Sequence, residues 1–166
     1  MLASEPPIGQ AMHTNQIQEE MMEGQVKTPK FVDADEGASY EVLGATMLYK
    51  ATAADTGGGF SFAVETTPPG GGQPLHMHTH EDEAMFILEG EFEIQCGEKV
   101  IQATPGTFVF LPRAVPNRYQ NTGSKPGKFV YVTSPGGSEN LVSEASEVEG
   151  PEAAFAIAKK YGIKFL

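Results

Sequence analysis

An all-β fold is what this sequence predicts, and three observations predict it. Nineteen glycines and 12 prolines in 166 residues mark frequent tight turns. Between those turns lie short runs in which apolar and polar residues alternate with period two, the signature of strands. A helical period is clear only near the C-terminus. With 40% hydrophobic and 20% charged residues the composition is that of an ordinary globular chain, long enough for one domain with a substantial core.

Taken in order, Met1 to Lys30 is polar and rich in Gln, Glu and Met, with one apolar cluster, Ile17, Met21 and Met22, spaced for a short amphipathic helix. Residues 1–30 are expected to be an arm, partly disordered or packed on a partner subunit, and its His13 a solvated residue. Strands begin after Phe31. Tyr40 to Thr52 reads as extended before a turn at Asp55 to Gly59. Phe60, Phe62 and Val64 then alternate with Ser61, Ala63 and Glu65, which predicts a strand that buries its phenylalanine face. A proline- and glycine-rich loop leads to an extended segment at Leu75 to Thr79. The polar run from Thr79 to Asp82 turns the chain into a strand, Glu83 to Glu89, whose two faces are both apolar. One face carries Met85 and Ile87, the other Phe86 and Leu88, so both are expected to be covered, the outer one by another strand layer or a second subunit.

Phe92 and Ile94 alternate with Glu91, Glu93 and Gln95, and a Gly97-Glu98 turn leads to Val100 and Ile101, making a hairpin. Thr107 to Leu111 is a further strand, Pro112 to Pro116 a turn, and Asn117 to Asn121 a strand in which Asn117, Tyr119 and Asn121 share a face. Phe129 to Thr133 closes the series, so the barrel is read as 31–137. Residues 138–166 form a helical extension. Pro135 to Gly150 reads as an acidic loop with Ser138 capping a short helix through Leu141 and Val142. A clearer helix begins at Pro151, with Phe155, Ala158 and Tyr161 on one stripe, Lys159 and Lys160 in its last turn and Gly162 as its left-handed terminus.

Charge narrows the partners. A formal net charge of -11, with no Lys/Arg cluster, repels phosphate backbones and anionic membrane surfaces. Neither a nucleic acid nor a membrane is expected to be a partner. No basic segment leads into a long apolar run, so the expected location is the cytoplasm. The single cysteine, Cys96, forms no internal disulfide and sits in an apolar strand pattern, which argues for an inert thiol.

Three of the four histidines, His76, His78 and His80, fall within five positions. In an extended segment His76 and His78 project to the same face and present two neutral imidazoles to one ion. Glu83, at the start of the returning strand, reaches back to the same point. Two histidines and one carboxylate leave coordination positions open for chemistry.

These residues resemble the cupins. The first cupin motif, G(X)5HXH(X)3,4E(X)6G, is met at every spacing by Gly70, His76, His78, Glu83 and Gly90. The second, G(X)5PXG(X)2H(X)3N, falls on Gly106, Pro112, Ala114, Asn117 and Asn121, with a turn glycine replaced by Ala114 and the third histidine by Asn117. The resemblance implies a double-stranded β-helix, the cupin jelly-roll barrel, in a single copy since no second HXH occurs. Looser similarity to quercetin-dioxygenase-like members lies in Gly44 to Gly59, Ser134 to Gly137 and Ala158 to Gly162.

Asn117 decides how much of the chemistry carries over, since an amide oxygen is a weaker ligand than imidazole for first-row metals. Three arrangements stand open: a triad of His76, His78 and Glu83 that binds one divalent iron, manganese, nickel or zinc ion; a site with Asn117 or His80 as a fourth ligand; or a metal-free pocket for an organic ligand. The triad is preferred. Two function classes follow. In one, a dioxygenase-like enzyme holds a small aromatic or apolar substrate among Phe60, Phe62, Met85, Ile87, Phe92 and Tyr119, with Glu83 as ligand and base. In the other, the cavity binds a small molecule without turnover; cupins also include isomerases and lyases. The apolar Phe86 and Leu88 argue for a homodimer.

Overall fold

A computed structural model describes residues 28–166, and the expected N-terminal arm, with its Ile17, Met21 and Met22 cluster, lies outside the described residues up to residue 27. Eleven strands and three short helices follow in the described residues: β1 (Ala38–Val42), β2 (Ala45–Ala51), α1 (Ala53–Thr56), β3 (Ser61–Thr67), β4 (Gly72–His78), β5 (Asp82–Glu89), β6 (Phe92–Cys96), β7 (Lys99–Ala103), β8 (Phe108–Leu111), β9 (Asn117–Asn121), β10 (Gly127–Ser134), α2 (Ser138–Ser146), α3 (Pro151–Lys160) and β11 (Ile163–Phe165). Two antiparallel sheets face each other, one ordered β1-β2-β3-β10-β5-β8 and the other β11-β4-β9-β6-β7. The expected all-β jelly-roll barrel is what forms. Between the sheets lie Met47, Tyr49, Met85, Ile87, Phe92, Ile94 and Phe129. Phe92 meets Phe129 edge to face with ring centres 5.4 Å apart, the favoured geometry for aromatic pairs.

Several readings of the sequence need correction or refinement. Tyr40 to Thr52, read only as extended, divides into a hairpin, because Leu43 and Gly44 both take positive φ (52° and 84°) and reverse the chain in two residues. The turn read at Asp55 to Gly59 begins as α1, which Gly57 ends in the left-handed conformation.

The parity of β3 is the opposite of the expected one. Ser61, Ala63, Glu65 and Thr67 are buried, and Phe62 and Val64 face outward on a surface shared with Phe86, Val130 and Val132. Alternation of apolar residues marks two faces but not which is inside, and here the narrow interior takes the small and hydrogen-bonded side chains. Phe86 and Leu88, expected to be covered by another strand layer or a second subunit, are 41% and 40% exposed in the single chain, so no further strand layer covers them among the described residues, and next to them Phe108 and Phe110 are 63% and 55% exposed.

The acidic segment after Pro135 is mostly helical, with α2 running nine residues from Ser138 and burying Val142 and Ala145. Beyond α3 the chain does not end at a helix terminus. Gly162, with φ of 87°, turns it into β11, which pairs antiparallel with the histidine strand, Ile163 opposite His78 and Phe165 opposite His76. None of the helices in the described residues is long and apolar enough to cross a membrane.

Candidate metal centre

Strand β4 places His76 and His78 on one inward face, both buried. The turn after them returns Glu83 to the same place on β5, also buried. The two Nε2 atoms are 3.1 Å apart and His78 Nε2 lies 3.2 Å from Glu83 Oε2. Bonds of about 2.0–2.2 Å from one ion put neighbouring donor atoms roughly 3 Å apart. The donor atoms of all three residues lie within 4.8 Å of one another, so the group fits a single divalent ion.

The proton inventory strengthens the fit. His76 Nδ1 lies 2.8 Å from the Pro74 carbonyl oxygen, and His78 Nδ1 lies 2.8 Å from a Glu81 carboxylate oxygen. A carbonyl or carboxylate only accepts, so each neutral ring carries its one proton on Nδ1. Both Nε2 lone pairs then point at each other and at the Glu83 carboxylate, an arrangement that calls for a cation or an extra proton. Titration follows the same logic. Burial holds His76 below the ordinary imidazole range against the pull of Glu83. Burial acts on His78 too, but the hydrogen bond to Glu81 and the charge of Glu83 together outweigh it and push His78 up.

Asn117 is buried on β9 directly opposite His76 in the register, which is where the second motif's histidine would stand. Ala114 keeps the left-handed conformation of the glycine it replaces, φ 62°, and its N–H donates to the His78 carbonyl at 2.8 Å. That conformation costs a non-glycine residue about 1–2 kcal/mol. His80 is not brought to the group: it is exposed, its Nδ1 is 3.0 Å from the Thr79 hydroxyl, and it packs against Gly162, where a Cβ would come within 2.4 Å of that nitrogen.

Above the histidines a small cavity of about 90 Å³ opens between the barrel and the C-terminal extension. Leu141, Val142, Phe155 and Phe165 supply much of its apolar wall, and His76, His78, Glu81 and Tyr131 its polar side. Among the described residues, neither lysine nor arginine lines it. The residues expected to hold substrate lie elsewhere. Met85, Ile87, Phe92 and Tyr119 are buried in the core, Phe62 faces outward, and Phe60 is 41% exposed ahead of β3. The wall comes instead from a segment that the sequence presents as a plain amphipathic appendage.

Two further polar groups escaped the sequence reading. Tyr131 stands in the cavity wall beside Glu83; burial first, and then the Glu83 charge, raise its hydroxyl far above the usual range, so it stays a phenol. Glu81 read as a turn residue like its neighbour Asp82. Asp82 does serve the turn, bound to Arg113 through Oδ2 at 2.7 Å, whereas the Glu81 side chain is 13% exposed and turned onto His78. Nothing in the sequence separates the two.

Deeper in the barrel a second carboxylate, Glu65, is 1% exposed. It accepts hydrogen bonds from the Tyr119 hydroxyl at 2.5 Å and the Thr67 hydroxyl at 2.7 Å. Burial pushes its pKa up to about 7 in spite of both donors, the Glu83 charge adding to the effect.

With this geometry in place, comparison with known proteins is informative. The family described as "Cupin domain" matches residues 63–133. Protein SchB of Streptomyces halstedii is 27% identical over 89 residues, 54% of this chain and 63% of that protein. The chain thus spans less than two thirds of the length of the curated relatives it matches. Among solved structures, a predicted oxalate decarboxylase from Thermotoga maritima superposes with a TM-score of 0.58 at 23% identity, over 63% of this chain and 98% of that one. The polyketide cyclase RemF from Streptomyces resistomycificus gives 0.57 at 19% identity, over 64% of this chain and 80% of its own. At such identities the structures share the fold.

Proposed function

We propose, on the similarity of residues 63–133 to the cupin domain family, that this protein is a metal-dependent, oxygenase-like enzyme acting on a small, neutral aromatic or apolar molecule. One observation carries the reading: three buried acceptor atoms, two imidazole Nε2 and a carboxylate oxygen, converge with their lone pairs on one point beside an apolar cavity. His76, His78 and Glu83 would hold the ion. A bound iron, manganese or nickel ion supplies redox chemistry that these side chains lack, and zinc supplies Lewis acidity.

The chain's own residues do the rest. The cavity wall from α2, α3 and β11 excludes water and stacks on an apolar ring. Tyr131 offers a hydroxyl to an oxygen of the substrate, and Glu83 stands where it can accept a proton from a substrate hydroxyl. Charge favours a neutral substrate: with one divalent ion, Glu81 and Glu83 already balance the site, and among the described residues no lysine or arginine lines the cavity to receive a substrate carboxylate. That distinguishes this cavity from one built for small dicarboxylates.

The test is direct. Metal-free protein is titrated with iron, manganese, nickel and zinc under anaerobic conditions, and the loaded forms are given dioxygen with neutral phenols or with matched benzoates. Dioxygen uptake with phenols and not with benzoates is expected. Phenol binding without turnover would instead make the protein a non-catalytic small-molecule binder.

We also propose a homodimer joined through the outer face of the six-stranded sheet. Phe86 pairs with Phe108 and Ala84 with Phe110, giving a contiguous exposed apolar surface on a chain that otherwise carries a net charge of -11. Two such chains repel except where they present an uncharged face, so a second copy is the occupant that fits. Light scattering should find a dimer, and F86E with F108E should convert it to a monomer; a monomeric parent protein would end the proposal.

A further inference from the structure

The two histidines are held by unlike partners. His76 donates from Nδ1 to a neutral peptide carbonyl, that of Pro74, and His78 to a carboxylate, that of Glu81. Both contacts are 2.8 Å, so orientation is fixed equally well on the two sides. What differs is charge. A carboxylate behind an imidazole draws the Nδ1 proton toward itself and makes the opposite nitrogen a more electron-rich donor.

The site has a use for that extra donor strength, because the position opposite His76 on β9 holds a neutral amide, Asn117, in place of a third imidazole. Glu81 is also well placed to act through charge. Its side chain is 13% exposed and lines the same cavity as His76 and His78, where solvent screens it little. It is distinct from Glu83, which points at Nε2 rather than Nδ1 of the same ring.

We propose that Glu81 is a positioning residue that turns His78 Nε2 into the metal site and supplies, through that ring, negative charge that offsets the loss of a ligand at Asn117. The inference rests on the reading of His76, His78 and Glu83 as metal ligands. Glu81 itself touches no metal. Its carboxylate sets the tautomer of His78 and lowers the cost of holding a dication in a buried pocket.

Two substitutions separate its two contributions. E81Q keeps an oxygen that accepts from Nδ1 and removes the charge; E81L removes both. Binding of cobalt(II) and zinc(II) to metal-free protein is measured for the parent and both variants, with the cobalt absorption spectrum recorded at saturation. The partners of metal-bound histidines are worth about 10–100-fold in affinity. About tenfold weaker binding is expected for E81Q and closer to a hundredfold for E81L, with an altered cobalt spectrum in E81L.

Nitrogen NMR of the metal-free proteins at alkaline pH gives a readout that a merely structural role would not move. His78 should be the Nδ1–H tautomer in the parent and in E81Q, and a mixture in E81L. If the parent binds metal and both variants bind it equally tightly, the role of Glu81 is refuted while the metal site stands. If the parent binds neither metal, both readings fall together. Should E81L not fold, E81Q alone decides, since an unchanged affinity there refutes the contribution of charge.

Discussion

Two polar clusters share the interior of one barrel, and they are built on opposite principles. At the mouth, His76 Nε2, His78 Nε2 and Glu83 meet as acceptors facing acceptors. In the depth, Glu65 meets hydroxyl donors from Tyr119 and Thr67. The deep cluster answers its own hydrogen-bonding demand; the mouth cluster turns its ring protons outward to Pro74 and Glu81 and leaves the inside unanswered. Burial alone therefore does not identify a ligand site, since Glu65 is more buried than Glu83. An excess of acceptors over donors is what suits the mouth group, and not the deep one, to a cation.

The largest expected effect attacks the mouth. E83A removes the one carboxylate among the three converging side chains, and metal affinity measured by calorimetry should fall by more than the roughly 100-fold that outer partners are worth. The same protein should keep its fold. If E83A binds as the parent does, the mouth cluster is not the metal site and the contrast between the clusters disappears.

The deep cluster is tested through stability. A carboxyl raised to about 7 when folded, against an ordinary value of 4.5, binds more protons in the native than in the unfolded chain between those values. Its contribution is fully present below the unfolded value and is lost as pH rises through the folded one. For a shift of that size the loss is on the order of 3 kcal/mol. E65Q keeps an oxygen for Tyr119 and Thr67 without the titration, so the metal-free variant should lose less stability than the parent in urea unfolding between acid and mildly alkaline pH. Parallel profiles for the two proteins would show that Glu65 is not the group responsible.

The sequence makes the mouth legible and hides the depth, and the reason is physical. Two histidines two residues apart and a glutamate beyond a turn declare themselves because strand parity and turn length force convergence on one point, as β4 and β5 bear out. Glu65 declares nothing. It sits in a run where Phe60, Phe62 and Val64 are the apolar set, and only the pairing of β3 between β2 and β10 sends that set outward. Glu81 and Asp82 are adjacent acids in one turn, told apart only when Arg113 claims the second. The cavity wall is hidden for another reason: it depends on β11 crossing to the histidine strand, a contact more than 80 residues apart (Ile163 with His78) that no local pattern encodes.

The smallest expected effect sharpens the contrast at a residue that belongs to neither cluster by charge. Asn117 stands opposite His76 on the interior face, offering an amide where an imidazole would bind strongly. If the mouth already coordinates through its two imidazoles and one carboxylate, N117A should weaken metal binding by less than about tenfold, the low end of what a non-ligating neighbour contributes. N117H should do the reverse and tighten it, because a neutral imidazole on the same strand position adds a donor that first-row metals prefer to an amide oxygen. The order of affinities is then N117H above the parent, the parent slightly above N117A, and E83A far below. Calorimetry on the four proteins with one metal reads it directly. A loss in N117A as deep as that in E83A would make Asn117 a ligand in its own right, and the acceptor count at the mouth would rise from three atoms to four.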